Sequence, residues 1–252
     1  MTDQGLAWDY TAQAAHYEAR APYHPDTLAA AVAAGAPAAG QAVDIGAGTA
    51  RFARMLAAAG YAVEAVEPNA AMRAIGRALA PPTVRWHDAR GEALPLPAAA
   101  CDVASFASSF NVVASGAALD EAARVLRPGG ALLVLWNHRR LDDPLQAAVE
   151  RAIREIVPGF APGRRREDPA PTIDAHPAFE PACAEVLSHR HQTTPAAFVE
   201  GFRAHATVVR QAGTQLPRVL AAIAALVDGA TVLQVPFETR LWIARRRPWS
   251  SR

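Results

Sequence analysis

Between Gln41 and Asn137, short apolar runs alternate with longer stretches that carry apolar residues every three or four positions. The runs are QAVDIG (41–46), YAVEAV (61–66), TVRWHD (83–88), DVASFAS (102–108) and ALLVLWN (131–137). The stretches 50–59, 69–79 and 117–126 between them have helical spacing. Strand, helix and strand in that rhythm give right-handed crossovers, hence a parallel sheet with helices on both faces. The strands lack strict alternation of apolar and polar residues, as strands covered on both sides do. Gly60 and Pro81-Pro82 stop two of the helices, and RPGG (127–130) reads as a tight turn.

The rhythm stops at Asn137. Beyond it, 142–157 reads as a helix, and 158–182, rich in Pro, Arg and Asp, as a surface excursion. A strand over 184–194, helices over 195–211 and 216–227, and a closing strand TRLWIARR (239–246) complete the pattern. The expectation is an α/β fold: a seven-stranded, mostly parallel sheet with helices on both faces and an antiparallel last strand. The 252 residues suit a single domain, 1–252. Within it, 1–36 forms an N-terminal helical lid, its first helix (3–20) carrying Leu6, Tyr10, Ala14 and Tyr17 at helical steps. Residues 138–182 form a substrate-cap region after the fifth strand.

A formal net charge of +1 creates no overall field for nucleic acid or an anionic membrane. The clusters Arg164–Arg166 and Arg245–Arg247 read as a solvated loop and tail. The two cysteines, Cys101 and Cys183, show no metal-ligand spacing and read as buried small hydrophobes. No metal is expected. The opening MTDQGLAWDY is no secretory signal, and no apolar run approaches the ~20 residues of a membrane span. A cytoplasmic protein, monomer or homodimer, is the expectation.

The turn AVDIGAGTARF (42–52) joins the first strand to the next helix. In an open parallel sheet, ligands bind beyond the carboxyl ends of strands where the strand order reverses, and this turn feeds that point. A dinucleotide loop needs a third glycine where Arg51 stands, and Asp44 repels pyrophosphate. No Gly-Lys-Ser/Thr follows, which excludes a P-loop. A cationic ligand reverses the objection: Asp44 attracts it, and Gly46 and Gly48 admit its close approach.

The spacing D-x-G-x-G-x-A, Asp44 to Ala50, resembles the first motif of class I S-adenosylmethionine-dependent methyltransferases, whose sheet is Rossmann-like. AVEP (65–68), PNAAM (68–72), WHDARGEALPLPAAACDVASF (86–106) and AARVLRPGGALLVLWN (122–137) are similar to later parts of that family's core. AAHYEARAPYHPDTL (14–28) resembles the opening of small-molecule enzymes of its type-11 group, with Tyr17 in the matching place. The resemblance implies S-adenosylmethionine as cofactor and S-adenosylhomocysteine as product. It places Asp44, Gly46, Ala47, Gly48 and Ser105 at the cofactor, with Ala50 as a small replacement for a frequent third glycine. Glu67 and Pro68 fall at the ribose, Met72 against the adenine, Asp88 at its amino group and Ala89 with its amide facing the ring.

Methyl transfer is an in-line displacement, so alignment and exclusion of water matter more than a strong base. Asn111, after the fourth strand, and His138, after the fifth, are the candidate catalytic residues. Trp8, Tyr10, Tyr17, Phe110, Trp136, Phe202 and His205 are the candidate substrate contacts, and their rings favour a planar or heteroaromatic acceptor. The resemblance thus implies methylation of a small metabolite on nitrogen, oxygen or an activated carbon, in secondary metabolite biosynthesis. The alternatives are a protein that binds the cofactor without methylating, as an enzyme or regulator, and an RNA or protein methyltransferase using the arginine clusters. A nucleic-acid acceptor is disfavoured, since no Asn-Pro-Pro-Tyr follows the fourth strand.

Overall fold

The computed structural model describes residues 9–113, 115–161, 163 and 166–248. Trp8 lies outside the described residues, as do Arg164 and Arg165. The strands are β1 (Gln41–Ile45), β2 (Ala62–Val66), β3 (Arg85–His87), β4 (Cys101–Ala107), β5 (Leu126–Arg139), β6 (Cys183–Thr193) and β7 (Leu233–Arg245). They form one seven-stranded sheet in the order β3-β2-β1-β4-β5-β7-β6. Strands β1 to β5 pair in parallel, and β7 runs antiparallel to both β5 and β6. The order reverses between β1 and β4, so a crevice opens beyond their carboxyl ends.

Burial on β5 sorts by parity, because successive strand residues face opposite sides. Leu132, Val134 and Trp136 pack with Ala118, Leu119 and Ala122 of α4 (Ser115–Val125). Ala131, Leu133 and Leu135 pack with Phe52, Ala53 and Leu56 of α2 (Arg51–Ala58) on the other side. Both faces are covered, which explains the absence of polar alternation. A third apolar cluster joins α5 (Pro144–Ile156), α7 (Pro195–Arg203), α8 (Ala206–Ala212) and α9 (Leu216–Leu226) around Val149, Ile153, Phe202 and Ile223. The remaining helices are α1 (Thr27–Ala33), α3 (Ala70–Leu79) and α6 (Ala170–Asp174), the last inside the expected surface excursion.

Caps fix several helix starts. The Asn69, Asp143 and Thr194 side chains accept backbone N–H groups of α3, α5 and α7, and Pro144 and Pro195 open two of those helices. The helix expected over 195–211 is two: α7 stops at Arg203, and the His205 ring caps α8 by accepting the Val208 N–H. Before Thr27, the described part of the expected first helix is a 3-10 helix over Thr11–Ala19.

Strand β5 begins at Leu126, so RPGG is drawn into the sheet as an irregular strand start. Strand β7 begins six residues before Thr239. Pro236 disguised that start; it pairs with Arg190 of β6, one residue beyond the end of the β5 pairing. Cys101 is buried as expected, whereas Cys183 is exposed at the first residue of edge strand β6. The arginine clusters are not simply solvated: Arg246 is buried with its Nε–H on the Ala123 carbonyl, and Arg166 is half-buried. No described helix is long and apolar enough to cross a membrane.

Candidate functional site

The chain leaves β1 through three left-handed residues in five positions: Gly46 (φ 70), Gly48 (φ 56) and Ala50 (φ 67). The Val66 carbonyl at the end of β2 accepts both the Gly46 and Ala47 N–H groups, at 2.8 and 3.0 Å. A Cβ on Gly46 would stand 2.6 Å from the Ser109 Cβ. Ala50 therefore occupies a position that wants glycine for its backbone conformation, not only for its size.

Asp44 is fully buried at the carboxyl end of β1. One oxygen accepts the Ser105 hydroxyl at 2.7 Å, and Oδ2 has no hydrogen-bond partner. Burial pushes its pKa up to about 7, with the nearby Glu67 adding to the rise and the Ser105 hydroxyl and Ala53 amide opposing it. Glu67, buried at the end of β2, accepts the Gly48 N–H on Oε2 and the Asn69 N–H on Oε1, both at 2.8 Å. Its pKa is also raised by burial.

Gly46, Gly48, Glu67, Pro68 and Met72 line a cavity of about 460 Å³ over this crevice, together with Tyr10 and Tyr17 from the N-terminal segment. The structure thus brings five expected cofactor residues together, with Asp44 and Ser105 beneath them. Asp88 stands apart: its carboxylate is 69% exposed and pairs with Arg73 at 2.7 Å. Ala89 packs against the core beside Arg90, which does line the cavity. Sequence reading missed Asn69, Ser108 and Ser109 in this wall. Asn69 was findable, since it is the cap residue ahead of a helical pattern. Ser109 was not, because its hydroxyl reaches back to the Ile45 carbonyl, 64 positions away.

A second cavity, about 90 Å³ by the same measure, lies beyond the carboxyl end of β5. His138 and Arg139 line it from β5, His191 from β6, Phe237 from β7, and Phe202 and His205 from α7 and the α8 cap. The Arg20 guanidinium lines this cavity and donates to the Tyr17 hydroxyl at 2.8 Å, so that pair is the seam between the two cavities. The Arg139 side chain is 11% exposed and pairs with Glu150 at 2.8 Å.

The expected substrate contacts therefore divide. Tyr10 and Tyr17 face the first cavity, while Phe202 and His205 face the second. Trp136 is a core residue, packed edge-on against Trp242, and Phe110 is buried against Phe106. Neither ring lines either cavity. Of the candidate catalytic pair, His138 faces the second cavity, and the Asn111 carbonyl oxygen accepts the Trp136 indole N–H at 3.1 Å. Among the described residues, no group of three or more His, Cys, Asp or Glu side chains is placed to hold a metal.

Residues 43–134 match the family model of a methyltransferase domain. A ubiquinone/menaquinone biosynthesis C-methyltransferase of Rubrivivax gelatinosus is 40% identical over 102 residues, which make up 40% of this chain and 41% of that protein. The chain spans about two fifths of the length of the curated relatives it matches. The fold is shared with a structure described as a type II methyltransferase from Anaeromyxobacter dehalogenans, at a TM-score of 0.65 and 23% identity, covering 90% of this chain and 97% of that one. It is also shared with the cyclase SpnF, at a TM-score of 0.58 and 17% identity, covering 95% and 94%. At these identities both structures speak to the fold alone.

Proposed function

We propose that this chain, whose residues 43–134 match the family model of a methyltransferase domain, is a class I S-adenosylmethionine-dependent methyltransferase that methylates a small, planar acceptor held in the second cavity. The observation that carries the reading is Asp44, a fully buried carboxylate with one oxygen left without a partner beneath a glycine turn. A buried acid of that kind is costly unless a cation meets it. Gly46 and Gly48 line the cavity above it and put no side chain in a ligand's way, so the residues present suit an aminoacyl sulfonium ligand.

In this reading Asp44, Ser105 and the turn at Gly46, Ala47 and Gly48 hold the ammonium-bearing end. Glu67, with Pro68 beside it, takes the ribose hydroxyls. Its oxygens already accept one N–H each and retain lone pairs for more. Met72 covers the adenine, and the Asp88–Ala89 segment borders it. S-adenosylmethionine supplies, when bound, a methyl group on positively charged sulfur. The protein's share is alignment and dryness: Tyr17 and Arg20 form the seam the acceptor reaches across, and Phe202 and His205 close the far side. His138, in the second cavity, is the base for an acceptor that must lose a proton. Asn111 acts by holding Trp136. Nitrogen, oxygen or an activated carbon can be the acceptor atom, and carbon is the element named for the quinone-pathway relative.

Two measurements test the reading. Calorimetry should show micromolar-range binding of S-adenosylhomocysteine, and its absence ends the proposal. Since a cyclase shares the fold, transfer needs its own test. Labelled methyl from S-adenosylmethionine should enter a small-molecule fraction of a cell extract of the source organism. Label in RNA or protein instead overturns the small-molecule acceptor, and cofactor binding with no label anywhere supports the non-methylating alternative.

A further inference from the structure

Resting on that assignment of the second cavity, we infer that it selects an acceptor carrying a carboxylate on a planar aromatic body, with Arg139 and Arg166 as specificity-determining residues. Arg139 comes from the end of β5, and its guanidinium is committed on one edge only. Its Nη2 donates to Glu150 at 2.8 Å, and its plane lies over the Phe202 ring, 5.3 Å from the centroid. Its Nη1 is buried and has no hydrogen-bond partner. Buried guanidinium N–H groups without acceptors are costly, so an acceptor supplied by a ligand satisfies a need already built into the wall.

The charge around that edge has one sign. Arg20, Arg139 and Arg166 line the cavity, and no carboxylate is among its described lining residues. The nearby carboxylate, Glu150, is shared between Arg139 and Arg154, at 2.8 and 3.1 Å. Arg20 is held by the Tyr17 hydroxyl. Burial, and for Arg139 the like charge of Arg166, lowers the proton affinity of both arginines, and a guanidinium stays charged all the same.

Phe160, Phe198, Phe202 and Phe237 also line the cavity, beside His138, His191 and His205. Flat rings and a small volume suit a planar group better than a tetrahedral phosphate. A guanidinium matches carboxylate and phosphate geometry alike, so the flat aromatic lining is what favours a planar carboxylate over a phosphate.

The test is calorimetric titration of the protein, saturated with S-adenosylhomocysteine, with benzoate and with its neutral isostere benzamide. Benzoate should bind at least about tenfold more tightly. Arg139→Met should bring the two within about twofold, with S-adenosylhomocysteine affinity unchanged. Because that substitution strands Glu150, Arg166→Gln is measured beside it and should cut the preference at least about threefold. Failure of benzoate to bind, equal binding of benzamide, or a preference that survives both substitutions overturns the inference. The same titrations on protein without S-adenosylhomocysteine separate the two readings. A charge preference there with no cofactor binding sinks the cofactor assignment alone, and cofactor binding with no charge preference sinks this inference alone.

Discussion

The Glu67 carboxylate accepts the Gly48 N–H at 2.8 Å, so the acid that ends β2 also sets the shape of the turn after β1. A residue expected only to touch a ribose is thus part of the scaffold on which the first cavity rests. Both N–H groups it satisfies, those of Gly48 and Asn69, lose their partner if it is truncated.

Glu67→Ala should therefore weaken S-adenosylhomocysteine binding and the fold together. A stranded buried N–H costs about 1–3 kcal/mol, or several degrees in Tm for a chain of this length. Glu67→Gln keeps one acceptor oxygen and should lose binding with a smaller loss of Tm. Calorimetry and thermal denaturation on the same two variants check the separation.

Asp44 makes stability and binding depend on pH in opposite senses. Its folded pKa of about 7 lies above its ordinary value of 3.8, so the folded protein holds this proton over a range where the unfolded chain has released it. The stability it contributes is complete below about pH 4 and is lost as pH rises to about 7. Relative to Asp44→Asn, the ligand-free wild type should lose Tm as pH is raised through that window. Its affinity for S-adenosylhomocysteine should instead fall below about pH 7, by up to about tenfold per pH unit, as the carboxylate protonates. The variant should keep only the part of that dependence that the buried Glu67 contributes.

The two glycines should respond differently to alanine. In Gly46→Ala the methyl strikes the Ser109 Cβ at a left-handed residue, and a loss of roughly 2–4 kcal/mol follows. In Gly48→Ala the nearest atom is the mobile end of Met72, at 3.2 Å, and the loss is about 1 kcal/mol. The second methyl points into the cavity, so this variant should stay folded and bind S-adenosylhomocysteine poorly. Thermal melts and calorimetry together distinguish the two.

Asn111→Ala leaves the Trp136 indole N–H without its partner in the core. A fall in stability of about 1–3 kcal/mol is expected. Once a methyl acceptor is in hand, kcat should change less than about tenfold. A loss of 10²-fold or more, the size general acid–base catalysis contributes, at unchanged Tm would return Asn111 to the reacting atoms.

Legibility followed sequence distance. Leu132, Val134 and Trp136 on one face of β5, with Leu133 and Leu135 on the other, announce a strand covered on both sides. Asp44, Gly46 and Gly48 sit within five residues, so a local pattern could carry their meaning. Arg139 could not be read that way. Glu150 and Phe202, which hold it, come from α5 and α7, and only the packed helices bring them together. Trp136 and Phe110 look like substrate walls in a linear reading because the residues that bury them, Trp242 and Phe106, are not visible as neighbours. The break between α7 and α8 rests on a histidine cap, a residue type that caps less often than serine, threonine, asparagine or aspartate.

The seam at Tyr17 and Arg20 also separates the two parts of the chain that build the two cavities. Apart from the N-terminal segment, the first cavity is assembled from residues up to Val113 and the second from Asn137 onward. The stretch recognisable as a methyltransferase domain ends at residue 134. Substitutions can rework the later wall, arginine by arginine and ring by ring, without touching a residue of the earlier one. A chain divided this way can change what one side admits without rebuilding the other.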